Sequence, residues 1–192
     1  STKNYLLEDS NYSDNNFKQF LTHFLSINFS KGKYSFLNRS IERFSRSLEN
    51  QNKLDRIVDF ITCLESLYSS KELQLSFRFA MRVAIVFGQT PHEKLMLQQF
   101  ILKIYDLRSK IVHGDTIPII SIDGKNMDLD SILNYLETTS RISIKIFIEL
   151  LDHFDDKTQI HKFIDDSLYE PIKPKIIADS LKKVKFTKTN LF

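Results

Sequence analysis

The chain has one cysteine, four glycines, four prolines and no tryptophan in 192 residues. The lone cysteine, Cys63, excludes an intramolecular disulfide and any cysteine-built zinc site, and it fits a reducing, cytoplasmic setting. So few breakers disfavour a many-turned β fold and favour long helices. No apolar run approaches the roughly 20 residues that span a bilayer, so no membrane segment is expected. Glycine-rich phosphate loops, serine elbows, Cys/His zinc patterns and internal repeats are all missing. The start, Ser1-Thr2-Lys3-Asn4, carries no basic-then-apolar signal and no initiator Met, as expected of a fragment of a longer protein.

What is abundant points to a packed core. Hydrophobic residues make up 42% of the chain and aromatics 12%, with 16 Phe, enough apolar side chain to exclude disorder across the body. The formal net charge is +3. Residues 171–192 hold six lysines against Asp179. That tail is therefore +5 and the rest of the chain −2. A uniformly basic nucleic-acid binder is excluded; a near-neutral body (1–170) with a basic C-terminal tail (171–192) is expected. The tail suits non-specific attraction to RNA or contact with an acidic partner.

Apolar spacing predicts an all-α body of successive helices. Residues 1–12 read as irregular. Ser13 or Asp14 caps a first helix with Phe17, Phe20, Leu21, Phe24 and Leu25, and Gly32 stops it. A second helix carries Tyr34, Leu37, Ile41, Phe44 and Leu48, with Arg39, Arg43 and Arg46 on its other face. That basic row reads as a solvated face, with an RNA-facing row as the alternative. A third runs from about Lys53 to Tyr68, where Asp55 and Asp59 sit at i and i+4 and repel unless paired. Glu65 lies near its apolar stripe and needs a partner. Arg82 on the fourth helix, between Ser69 or Ser70 and Gly88, is the natural candidate, either as an internal ion pair or as a device orienting an active edge. The apolar end of that helix, Val83 to Phe87, should be central.

Thr90-Pro91-His92-Glu93 then gives three agreeing helix-start cues: a cap, a proline at the first position and a capping box. His92 reads as exposed. Beyond the motif that ends this helix, Thr116 to Ile122 is the one β-like segment, closed by the Asp123-Gly124 turn signal, with Pro118 arguing against a central strand. Asp128 or Asp130 caps a helix to about His153, with Ser143, Lys145 and Glu149 on its wetter side. Asp155 and Asp156 begin the last body helix, with Ile160, Phe163, Ile164 and Leu168. His153 and His161 stand among five aspartates, but without fixed ligand spacing they read as a solvated junction and not a metal site. Cys63 reads as a buried small hydrophobe.

The stretch Tyr105-Asp106-Leu107-Arg108-Ser109-Lys110-Ile111-Val112-His113-Gly114 closes the Thr90 helix. It sets an arginine and a histidine five positions apart, just before a glycine stop. Arginine offers a fixed fork for phosphate and histidine a proton carrier near neutral pH. The plain alternative is an arginine paired to a carboxylate and a histidine capping the last carbonyls. The ordered set of Leu64-Glu65, Arg82-Val83-Ala84 and Tyr105 to Gly114 resembles the HEPN domain superfamily, in particular its Apea-like branch, best over residues 33–115. Arg108 to His113 matches its Arg-x4-His motif.

That resemblance implies an all-α HEPN bundle, a homodimer with the motifs of two protomers facing each other, and metal-independent endoribonuclease chemistry without a cofactor. Arg108 and His113 would be the catalytic pair. Ser109 and Lys110 would position phosphate, and Tyr105, Glu65 and Arg82 would support the site or bind RNA. It also implies phage defence or toxin activity, with an antitoxin or regulatory protein as partner. The alternative is a non-catalytic HEPN module that binds nucleotide, RNA or a partner protein. Family members often carry Asn, Asp or His after the arginine, where this chain has Ser109. Some toxin-type members carry Tyr two residues after the histidine, where it has Asp115.

Overall fold

The computed structural model describes residues 22, 24–26, 32–70, 74–122 and 124–169. The expected helix start at Ser13 or Asp14, with Phe17, Phe20 and Leu21, and the basic tail of residues 171–192 lie outside the described residues. Inside them, a 3-10 turn, Gly32–Tyr34, leads into α1 (Ser35–Glu49), followed by α2 (Lys53–Tyr68), α3 (Leu75–Phe87) and α4 (Pro91–His113). A hairpin of β1 (Ile120–Ile122) and β2 (Lys125–Met127) separates α4 from α5 (Leu129–Leu150) and α6 (Lys157–Asp166). The protein is an all-α bundle with one short antiparallel hairpin, in register Ile120↔Met127 and Ile122↔Lys125.

Local chemistry sets most boundaries. The Asn52 side chain accepts from the backbone N–H groups of Leu54 and Asp55 to start α2. At α4 the capping box closes: Glu93 N–H donates to Thr90 Oγ1 at 3.2 Å, and Thr90 N–H donates to Glu93 Oε2 at 3.3 Å. Asp128, and not Asp130, caps α5 through Ser131 N–H at 2.7 Å, while Asp130 pairs with Lys53. Asp156 caps α6 through Gln159 N–H. Gly88 follows α3 with ordinary extended backbone, but a Cβ there would stand 2.7 Å from Lys94 Cγ and 2.8 Å from Ala84 O. Its lack of a side chain lets α3 and α4 turn tightly against each other.

The core runs through the six helices named above. α1 packs on α2, α3 on α4, and α5 lies against both α1 and α2. From Ile142 to Ile148 every residue of α5 is buried. This corrects the expected wet side. Ser143 and Lys145 are interior, because α1 and α2 both cover α5, and Tyr68 donates its hydroxyl to Ser143 Oγ at 3.0 Å. Each large aliphatic or aromatic side chain buried there contributes about 1.5–3 kcal/mol over an exposed one. Cys63 is buried as expected, and burial pushes its thiol up to about 12.

The charged groups differ most from the sequence reading. Arg43 and Arg46 do not form a free basic row; they close on the buried Asp59 at 2.8 and 3.3 Å. Arg82 does not meet Glu65. It is 2% exposed and grips Asp165 of α6 with a two-pronged fork, both contacts at 2.8 Å. Its remaining amino group donates to Tyr68 O and to Ser70 Oγ. Ser70 is thereby used as an acceptor, and Ser69 N–H closes α2 on Glu65 O, so α3 starts later than expected, at Leu75. His161 is buried and not part of a solvated junction. Arginine only donates, so His161 Nδ1 accepts from Arg82 at 3.0 Å and the Nε2–H donates to Leu67 O.

His161 yields a prediction on pH. Burial first, and Arg82 second, lower its affinity for a proton to about 3. The unfolded imidazole protonates at its ordinary 6.5. The depressed folded value means the stability is complete above about 6.5 and is lost as pH falls towards 3. Between pH 6.5 and 5, urea unfolding should lose up to about 1.4 kcal/mol per pH unit, and His161→Gln should flatten that slope. An unchanged slope in the variant would place the titration elsewhere.

Candidate functional site

The motif helix ends where its sequence says it should. Gly114 takes the left-handed conformation, φ 73°, and its N–H and that of Asp115 close on Ile111 O and Lys110 O at 3.2 and 2.9 Å. These backbone bonds satisfy the last carbonyls, so His113 is not needed as a capping side chain. It stands exposed as the final helical residue, and its imidazole has no partner among the described residues.

Leu107, Ile104, Ile101 and Phe100 bury the inner face of α4. At about 100° per residue, Arg108 falls on the flank of that face and His113 about 140° further round, on the outward side. Arg108 turns towards α2. Its Nε is sealed from solvent and lies 3.5 Å from Glu65 Oε2, an ion-pair distance longer than a hydrogen bond. The two side chains are 31% and 19% exposed. Tyr105, one turn earlier on α4, stands near the same carboxylate. Burial raises the Glu65 carboxyl above its ordinary value, while Arg108 and Tyr105 draw it back down. Burial and the Glu65 charge raise the Tyr105 phenol. The Tyr105 ring also meets Phe79 of α3 at 6.0 Å between centroids, which fixes its place.

The terminal amino groups of Arg108 are not sealed, and no described residue accepts from them. Lys110 pairs with Asp106 one turn away at 3.0 Å, and Ser109 is half-buried between these two edges. Of the residues singled out from sequence, Glu65, Tyr105 and Arg108 are brought together. Lys110 and His113 share the outward stripe with Asp106. Arg82 belongs to a separate, interior cluster. Asp106 escaped the sequence reading although it sits four residues before Lys110, the spacing at which helical charges pair.

After α4 the chain turns back along it. Lys103 Nζ donates to Ser121 O at 3.0 Å, holding the hairpin against the helix with Ile120 buried beneath. Val112, 59% exposed, lies between Arg108 and His113 on the helix surface. Among the described residues no group of three or more His, Cys, Asp or Glu side chains could hold a metal ion, and no helix is long and apolar enough to cross a membrane. No family model, curated protein or solved structure matches the chain.

The glycine at the motif's end can be tested directly. A Cβ at Gly114 would meet nothing within 4 Å, so the cost of a side chain is conformational alone. Gly114→Ala should destabilise by about 1–2 kcal/mol, and Gly114→Asn by less. Equal urea midpoints for the wild type and the alanine variant would rule out the left-handed cap.

Proposed function

We propose that this protein is a HEPN-type, metal-independent endoribonuclease that works as a homodimer. The observation that carries the reading is the open pair at the end of α4: an arginine whose amino groups have no acceptor, and an exposed histidine with no partner, among the described residues. On one helix they diverge by about 140°. Two copies related by a two-fold axis would turn the fork of one and the imidazole of the other towards a shared cleft, with Val112 in the contact.

In such a cleft Arg108 binds the non-bridging oxygens of the scissile phosphate and stabilises the charge that grows on them. One His113 takes the proton of the ribose 2′-hydroxyl as it attacks phosphorus. The His113 of the second protomer gives a proton to the departing 5′-oxygen. The products are a 2′,3′-cyclic phosphate and a 5′-hydroxyl. Ser109 and Lys110 flank the phosphate path. Phage defence or toxin activity, an antitoxin or regulatory partner, and a cytoplasmic setting belong to the same proposal.

A second reading is a non-catalytic module binding nucleotide, RNA or protein. It is favoured by one feature: Arg108 and Lys110 each already face a carboxylate, so one protomer's edge carries little net charge.

The two readings separate in one assay. Purified protein incubated with mixed RNAs in EDTA should cut RNA and not DNA and leave cyclic phosphate ends. His113→Ala should slow cutting by about 10²–10⁴-fold while leaving fold and dimer intact. Arg108→Lys should also fail, since lysine keeps the charge and loses the fork. Light scattering should give a dimer. Cutting by the histidine variant at the wild-type rate, or a monomer at micromolar concentration, would defeat the proposal.

A further inference from the structure

The molecule contains its own reference for a structural arginine. Arg82 uses its Nε and both amino groups: two bonds to Asp165, and others to Tyr68 O, Ser70 Oγ and His161 Nδ1, with 2% of the side chain exposed. Nothing is left over for a ligand. Arg108 is built differently. Among the described residues only its Nε edge faces protein, towards Glu65, and the outer edge formed by the two amino groups is left open by them.

A guanidinium can take an oxyanion side-on, through Nε and one amino group, or end-on, through both amino groups. Glu65 occupies the Nε side. Tyr105 stands near Glu65 on the same side, and Phe79 packs against the Tyr105 ring at 6.0 Å between centroids. The carboxylate hangs from α2 at the turn where that helix is closed by Ser69 N–H on Glu65 O. The groups around the fork therefore come from three helices.

We infer that Glu65 and Tyr105 are positioning residues that hold the Arg108 fork with its Nε edge inward, so that the site receives a phosphodiester end-on through the two outer amino groups. This rests on the reading of Arg108 as the phosphate-binding residue. Neither Glu65 nor Tyr105 touches the reacting atoms; both act through the fork. An anion that needs the side-on edge must displace Glu65 first, which selects against it.

Nuclear magnetic resonance of the full chain tests the brace without relying on catalysis. The Arg108 Nε–Hε signal, assigned by its absence in Arg108→Lys, should exchange with solvent at least about tenfold more slowly than an exposed arginine such as Arg39. Glu65→Gln should remove that protection, and Tyr105→Phe should weaken it. The probe for binding is a fully 2′-O-methylated RNA, which lacks the nucleophile and stays uncut. Glu65→Gln should bind it about tenfold more weakly at an unchanged thermal midpoint, the loss of about one charge-assisted contact. Tyr105→Phe keeps the ring against Phe79 and serves where the glutamine variant fails to fold. Wild-type exchange and wild-type affinity in both variants would overturn the inference. Protection that is lost in Glu65→Gln, with no RNA binding by the wild type, would keep the brace and defeat the ribonuclease reading.

Discussion

The carbonyls at the buried end of α2 are the constraint on which the rest of the structure turns. A helix leaves its last four C=O groups without intrahelical partners, and buried ones must find donors elsewhere. Here Glu65 O takes Ser69 N–H, Ser66 O takes Lys157 Nζ, Leu67 O takes His161 Nε2–H, and Tyr68 O takes Arg82 Nη1. Three of the four donors come from α3 and α6, so satisfying one helix end fastens two other helices to it. The cationic donors also suit the negative end of the helix dipole. Asp165 neutralises Arg82, and Lys157 sits 5.5 Å from the centre of the Phe36 ring. The arrangement is costly to build: burial pulls the Lys157 ammonium down to about 8 and keeps His161 neutral. A group of this kind stabilises only when every member is satisfied, so removing one partner should cost more than the pair contributes.

That anchored end is also the seat of the candidate site. Glu65 supplies both the first of those four carbonyls and the carboxylate facing Arg108. Movement of the α2 terminus would therefore move the support under the arginine fork. The interior cluster around Arg82 and the open edge around Arg108 are separate in chemistry and joined mechanically through one turn of helix.

What could be read from the residues follows a physical division. Local signals were reliable: the Thr90 capping box, the short hairpin around Gly124 and the glycine stop at 114 all depend on neighbours within a few positions. Partners chosen across the fold were not. Arg82 and Asp165 are 83 residues apart, and His161 and Leu67 are 94 apart. No spacing rule connects them. Arg82 was expected to serve Glu65 because both looked out of place in apolar stripes; each did need a partner, but α6 reached Arg82 first and α4 brought its own arginine to Glu65. Ser143 and Lys145 misled for a related reason. A polar stripe marks a wet face only when one side of a helix is covered, and α5 is covered on two.

An edge meant for a polyanion should present an excess of positive field, yet on α4 the cations Arg108 and Lys110 stand against Glu65, Asp106 and the exposed Asp115. One protomer is nearly neutral there, and the body without residues 171–192 sums to −2. Long-range attraction is then a poor account of how such a site would hold RNA, since weak fields are screened within about 8–10 Å at ordinary salt. Short-range geometry is the better account: a fork presented end-on, fixed before the ligand arrives, loses little freedom when it binds. On the proposed reading, pairing two such edges about a two-fold axis doubles the open donors and brings an imidazole opposite each fork. Affinity would then come from preorganised contacts at one phosphate, with the lysines of residues 171–192 adding sequence-independent attraction.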